Sequence, residues 1–201
     1  VQEQVPTVNT FIRSHTLLAR VCAEHNITLV HVSSDYVFDG TAELHDEEEA
    51  FAPLGVYGQS KAAGDIAVAN CPRHYILRSS WVIGEGHNFV KTMMGLSGRV
   101  AKGELPEVTV VDDQYGRLTF TGDMAEAIFH LLDGGAAYGT YDLTGSGTVK
   151  SWADIACEVF DLSNGNGGKV KPISTAEYFA NAKAPVSPRP PYSALDLAKI
   201  E

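Results

Sequence analysis

Tyr57 and Lys61 stand four residues apart in V-Y-G-Q-S-K-A-A-G-D (56–65). On a helix that spacing puts both side chains on one face, within reach of a single ligand. A phenol ordinarily holds its proton to a pKa of about 10, and an ammonium a few ångströms away favours the phenolate. The pair is therefore suited to general acid–base work near neutral pH. Taken alone, it equally describes a surface helix carrying a solvated lysine. A second set of reactive groups lies upstream. Thr28 to Val32 is a short β-branched, apolar run that reads as a buried strand, and it ends in Ser33, Ser34, Asp35 and Tyr36. Hydroxyls and a carboxylate thus emerge at the carboxyl end of a strand, where open α/β sheets hold ligands. A serine there also commonly just caps the next element.

The elements that must position these groups alternate. A helix is expected over 6–25, opened by Pro6 and stopped near Asn26, then a strand at 28–33, a long loop at 35–55 and the Tyr57 helix to about residue 70. Strands follow at 74–79, 107–111, 139–143 and 169–173. Helices are expected at 88–102, at 121–133 with a Thr121 cap, at 151–162 with a Ser151 cap, and at 175–182. S-N-G-N-G-G (163–168) reads as a flexible turn, residues 185–191 as extended, and Ser193 as the start of a last short helix. Strands alternating with helices predict an α/β fold built on a parallel sheet.

Six blocks in order carry a resemblance: S-S-D-Y-V-F-D-G (33–40), P-L-G-V-Y-G-Q-S-K-A-A-G-D (53–65), L-R-S-S-W-V (77–82), N-F-V-K-T-M (88–93), D-D-Q-Y-G-R-L-T (112–119) and R-P-P-Y-S-A-L-D (189–196). With them the chain resembles the dTDP-4-dehydrorhamnose reductases of the extended short-chain dehydrogenase/reductase superfamily. The resemblance implies reduction of a sugar ketone at C4 by NADPH or NADH. In it Tyr57 is the proton donor, Lys61 acts on Tyr57 and the nicotinamide ribose, and Ser34 orients the carbonyl. It places Ser33 and Ser80, with Tyr57 and Lys61, beside the cofactor. It places Asp35, Tyr36 and Trp81 at the sugar, and Asn88, Gln114, Thr119 and Arg189 near the nucleotide, with a guanidinium suited to a diphosphate. For Trp81, core packing stands as the alternative. One departure is Leu118, where the family usually carries proline.

Enzymes of this kind open on a strand and a Gly-rich turn that receives the cofactor pyrophosphate at a helix N-terminus. No G-x-G-x-x-G or G-x-x-G-x-x-G occurs in the 201 residues. Segment 5–12, with Asn9, resembles the fourth helix of such a fold. The expected architecture is therefore a Rossmann-like sheet lacking its N-terminal half, with a small α+β substrate-binding lobe. Residues 1–82 would be the nucleotide-binding part and 83–201 mainly the lobe, with 121–145 returning to the sheet. The chain is expected to be an excised piece or one region of a larger protein. Two other readings stay open: a non-catalytic binding protein of the same fold, like the regulatory subunit of methionine adenosyltransferase, and a nucleotide-sugar epimerase or dehydratase.

Composition narrows the partners. A net charge of −10 argues against nucleic acid, and no apolar run is long enough to span a membrane. Cys22, Cys71 and Cys157 are scattered and fit buried thiols in a reducing compartment, so a cytoplasmic setting is expected. The acidic run 46–49 reads as solvated and no metal site is expected. The oligomer stays open, a homodimer among the alternatives.

Overall fold

The computed structural model describes residues 4–183 and 185–201, with side chains from residue 9 onward. In chain order the elements are α1 (Gln4–Glu24), β1 (Leu29–Val32), a 3-10 turn (Asp35–Val37), α2 (Val56–Val68), β2 (His74–Arg78), β3 (Val82–Ile83), α3 (Phe89–Ala101), β4 (Val108–Val111), β5 (Tyr115–Gly116) and β6 (Thr119–Phe120). There follow α4 (Thr121–Asp133), β7 (Gly139–Asp142), β8 (Lys150–Ser151), α5 (Trp152–Asn164), β9 (Val170–Ile173) and α6 (Thr175–Tyr178).

Three parallel strands in the order β1-β2-β7 form the main sheet, with Val32 opposite Leu77 and Arg78 opposite Asp142. The two-residue period of a strand divides β2 between two layers. Tyr75 and Leu77 pack with Met124 and Leu131 of α4 on one face. Arg78 reaches Asp65 of α2 on the other. Helix α1 lies beside α2 and closes a small core of Ala19, Cys22, Cys71 and Leu29. The strands are short, and the central strand β2 is buried along most of its length, as expected for a parallel sheet. A second lobe joins α3, α5 and the parallel pair β4–β9 around Met93, Val100, Val110, Ala156 and Phe160.

Several element boundaries differ from the sequence reading. Thr121 is not a cap: pairing of Thr119–Phe120 with Val82–Ile83 keeps the chain extended to Phe120, so α4 begins on Thr121 itself. Helix α5 is capped by Ser151 in a full capping box with Asp154, yet it runs on to Asn164 and stops at Gly165, φ 65°. The turn after it is tied down rather than loose, because Asn164 donates to the Ser97 hydroxyl at 2.8 Å and Asn166 donates to the Ser97 carbonyl at 3.1 Å. Helix α6 is a single turn ending at Tyr178. No helix starts at Ser193. Backbone bonds from Ser193 to Tyr115 and from Asp196 to His45 hold that segment extended as a strap across both lobes. No helix of the described residues is long and apolar enough to cross a membrane.

Candidate active site

Helix α2 approaches the end of β1 because Gly58 lets it. A methyl group there would lie 2.1 Å from the Tyr36 carbonyl oxygen and 2.9 Å from Pro53. That close approach lets Lys61, three residues on, reach back to the strand. Its ammonium donates to the Val32 carbonyl at 2.6 Å and lies over the Phe11 ring. Burial pushes the Lys61 pKa below its ordinary value, with Asp65 opposing from the next turn. Tyr57, one turn before Lys61 on the same face, is exposed and meets the Tyr36 ring edge-on, centroids 5.6 Å apart. Ser34 lies two residues beyond Val32. Its hydroxyl accepts from the Tyr36 N–H at 3.2 Å, capping the 3-10 turn, and donates to Asp35 at 3.1 Å. The Lys61 ammonium and the Ser34 hydroxyl therefore lie at the carboxyl end of β1, with Tyr57 one turn from Lys61 against the Tyr36 ring.

Beneath them runs a buried polar network. Asp65 takes the Arg78 guanidinium at 3.1 Å on one oxygen and faces His31 at 3.3 Å with the other. Arg78 also donates to the Glu47 carbonyl, and the Glu47 carboxylate accepts from the Asp142 N–H at 2.9 Å. This network pins α2 and the 41–55 loop to the sheet, so the position of the Tyr57 face is set from below.

A cleft of about 260 Å³ opens in the second lobe, lined by Phe89, Val110, Gln114, Trp152, Tyr178 and Arg189 among others. Gln114 donates to Thr175 at 2.8 Å. The Arg189 guanidinium faces the Tyr36 phenol, and its charge offsets part of the burial that raises that phenol's pKa. Cleft and strand end are thus linked through Arg189, Tyr36 and Tyr57. Between them stands Trp81 at φ 47°, a strained setting for a bulky residue. Its indole stacks on Trp152 at 3.8 Å and lies so close over Gly116 that a methyl there would come within 2.9 Å.

Other expected site residues turn inward. The Thr119 hydroxyl donates to the Ser80 carbonyl at 2.5 Å, and the Ser80 hydroxyl donates to the Arg117 carbonyl at 3.4 Å. Asn88 caps α3, accepting from Lys91 N–H, and braces Gly84 and Gly86. Ser33 is buried with its hydroxyl unpartnered. Sequence reading missed Trp152, Tyr178 and Phe179 as lining of the cleft; an aromatic at the first turn of a helix reads as core. Among the described residues no cluster of metal-ligating side chains occurs.

Comparison with known proteins gives a consistent result. The family model described as the RmlD substrate binding domain matches residues 2–201. A dTDP-4-dehydrorhamnose reductase of Aggregatibacter actinomycetemcomitans is 39% identical, covering 94% of this chain and 65% of the relative. One of Salmonella typhimurium is 37% identical over 86% of this chain and 60% of its own length. The chain thus spans under two thirds of the length of these relatives. Among solved structures, the Bacillus anthracis dTDP-4-dehydrorhamnose reductase in complex with NADP aligns with TM-score 0.77 at 34% identity, over 91% of this chain and 62% of that one. The Clostridium acetobutylicum orthologue aligns with TM-score 0.78 at 36% identity, over 90% and 61%. A dTDP-glucose 4,6-dehydratase of Bacillus anthracis, at 19% identity and TM-score 0.73, shares the fold.

Proposed function

The chain belongs to the RmlD substrate binding domain family, and from that premise we propose that it is the ketone-reducing and sugar-nucleotide-binding part of a dTDP-4-dehydrorhamnose reductase. The reaction is reduction of the C4 ketone of dTDP-4-dehydro-L-rhamnose to dTDP-L-rhamnose. The observation that carries this reading is the placement of Lys61 on the Val32 carbonyl, one turn from an exposed Tyr57 and two residues from Ser34.

The nicotinamide cofactor supplies hydride to the ketone carbon when bound. At this end of the cofactor the chain's groups fit it: a partly buried ammonium and a phenol at the open end of a parallel strand suit a ribose hydroxyl and a carbonyl. For the pyrophosphate the 201 residues hold no Gly-rich turn. Tyr57 gives its proton to the ketone oxygen as negative charge develops there, and the Lys61 ammonium stabilises the phenolate left behind. Ser34 bonds the same oxygen and fixes its direction. Tyr36 offers an aromatic ring to the pyranose, Trp81, held between Trp152 and Gly116, presents only its indole edge, and Asp35 lies beneath the sugar. Arg189 and Gln114 receive the nucleotide in the cleft, while Asn88, Thr119, Ser80 and Ser33 shape the surrounding backbone. Residues 1–82 and 121–145 form the cofactor-facing part and the remainder of 83–201 the lobe that closes on the nucleotide. A cytoplasmic setting fits both substrates.

The test is turnover by a protein of the relatives' full length that carries this chain. With NADPH and dTDP-4-dehydro-L-rhamnose, it should consume cofactor and yield dTDP-L-rhamnose. Epimerisation or dehydration of a nucleotide sugar without net cofactor consumption would overturn the assignment.

A further inference from the structure

Ser34 has one proton, and the structure commits it. The hydroxyl donates to Asp35 Oδ1 at 3.1 Å while its oxygen accepts from the Tyr36 N–H. Held this way, Ser34 can offer a ligand only a lone pair, whereas orienting a ketone requires it to offer a proton. Asp35 is 3% exposed, and its second oxygen, Oδ2, is buried without a hydrogen-bond partner. We propose that Asp35 is a positioning residue that sets the polarity of the Ser34 hydroxyl: ionised, it accepts the hydrogen bond from the serine O–H; neutral, protonated from solvent, it leaves that O–H free to donate to the ketone oxygen. This rests on the reductase reading above and adds to it a residue that acts through Ser34.

The surroundings allow the change. Burial pushes the Asp35 pKa up to about 6, far above the usual carboxylate range. Opposing it are Ser193 on the C-terminal strap, Ser34 itself, and His45 on the loop packed alongside. On the other side, Tyr36 is faced by Arg189 and Tyr57. A sugar seated over Tyr36 removes further water and moves Asp35 in the same direction as burial does. No proton is consumed by the rearrangement; it passes between a carboxyl and the solvent, while Tyr57 remains the donor for the reaction.

Two measurements decide the matter. In the full-length reductase, wild-type kcat should fall about tenfold per pH unit above the Asp35 titration in the bound complex. Asp35→Asn should abolish that limb while KM stays within about twofold, as expected for an effect confined to the reacting centre. In the 201-residue chain, carbon-detected NMR of the Asp35 carboxyl should show its pKa rising in Ser34→Ala, because a donor to the ionised form is lost. A limb that persists in Asp35→Asn, or an Asp35 titration indifferent to Ser34→Ala, overturns the proposal; the NMR arm decides it even where Asp35→Asn fails to fold. Wild-type protein that never reduces the ketone would instead sink the reductase reading.

Discussion

Both carboxyl oxygens of Asp142 are buried without a hydrogen-bond partner, and burial together with the neighbouring charge of Glu47 pushes its pKa up to about 8. A carboxyl whose folded pKa lies above its unfolded one favours folding in the neutral form. That contribution is complete below the ordinary carboxylate range and is lost as pH rises through about 8. The wild-type unfolding free energy, read from urea titrations, should therefore fall between pH 5 and pH 8, by at most about 1.4 kcal/mol per pH unit. Asp142→Asn should flatten that slope and be the more stable protein at pH 8; an unchanged slope would contradict this. Nothing in the sequence marks Asp142, since its partner Glu47 lies in a loop that reads as solvated acid. Tyr57 and Lys61 stood out as candidates because they share one helical turn, and Ser34 because it ends a strand within a resembling block, whereas the hold of Asp35 on Ser34 depends on a hydroxyl direction that no pattern encodes.

Helix α2 shows how an element converts sequence into position. Its end near residue 70 was expected from the sequence, but its depth against β1 depends on Gly58 and on the Asp65–Arg78 pair. Adding one methyl at Gly58 forces the helix off the Tyr36 carbonyl. Gly58→Ala should cost about 2 kcal/mol, as overpacking of a tight contact does, and should weaken the Lys61–Val32 bond that places the ammonium. Chemical denaturation measures the first effect, and a loss of kcat larger than any change in KM in the full-length enzyme measures the second. Wild-type stability would contradict the packing account. The elements that misled the reading failed for the same non-local reason. The segment after Pro191 carries helix-compatible residues, yet backbone pairing with Tyr115 and His45 holds it as a strap. The two-residue strands β3, β5, β6 and β8 exist only as pairings between distant segments.

At the scale of the molecule, the alternation of elements gave the parallel sheet, but not its order or the strap that joins the two lobes. The sheet presents β1 as an edge, with Ile27 and Val32 exposed beside it and Leu17 and Leu18 exposed on α1. Parallel strands are ordinarily covered, and such an edge suits a further strand. Because the 201 residues hold no Gly-rich turn for a pyrophosphate, the chain by itself should show no appreciable NADPH oxidation with the ketosugar. Turnover at the rate of a full-length relative would contradict that.

The chemistry assigned to the site rests on one phenol. In the full-length reductase, Tyr57→Phe should lower kcat by about 100- to 10,000-fold, the range for loss of a positioned general acid, with the affinities for NADPH and the nucleotide sugar unchanged. A Tyr57→Phe enzyme that reduces dTDP-4-dehydro-L-rhamnose at the wild-type rate would contradict the account.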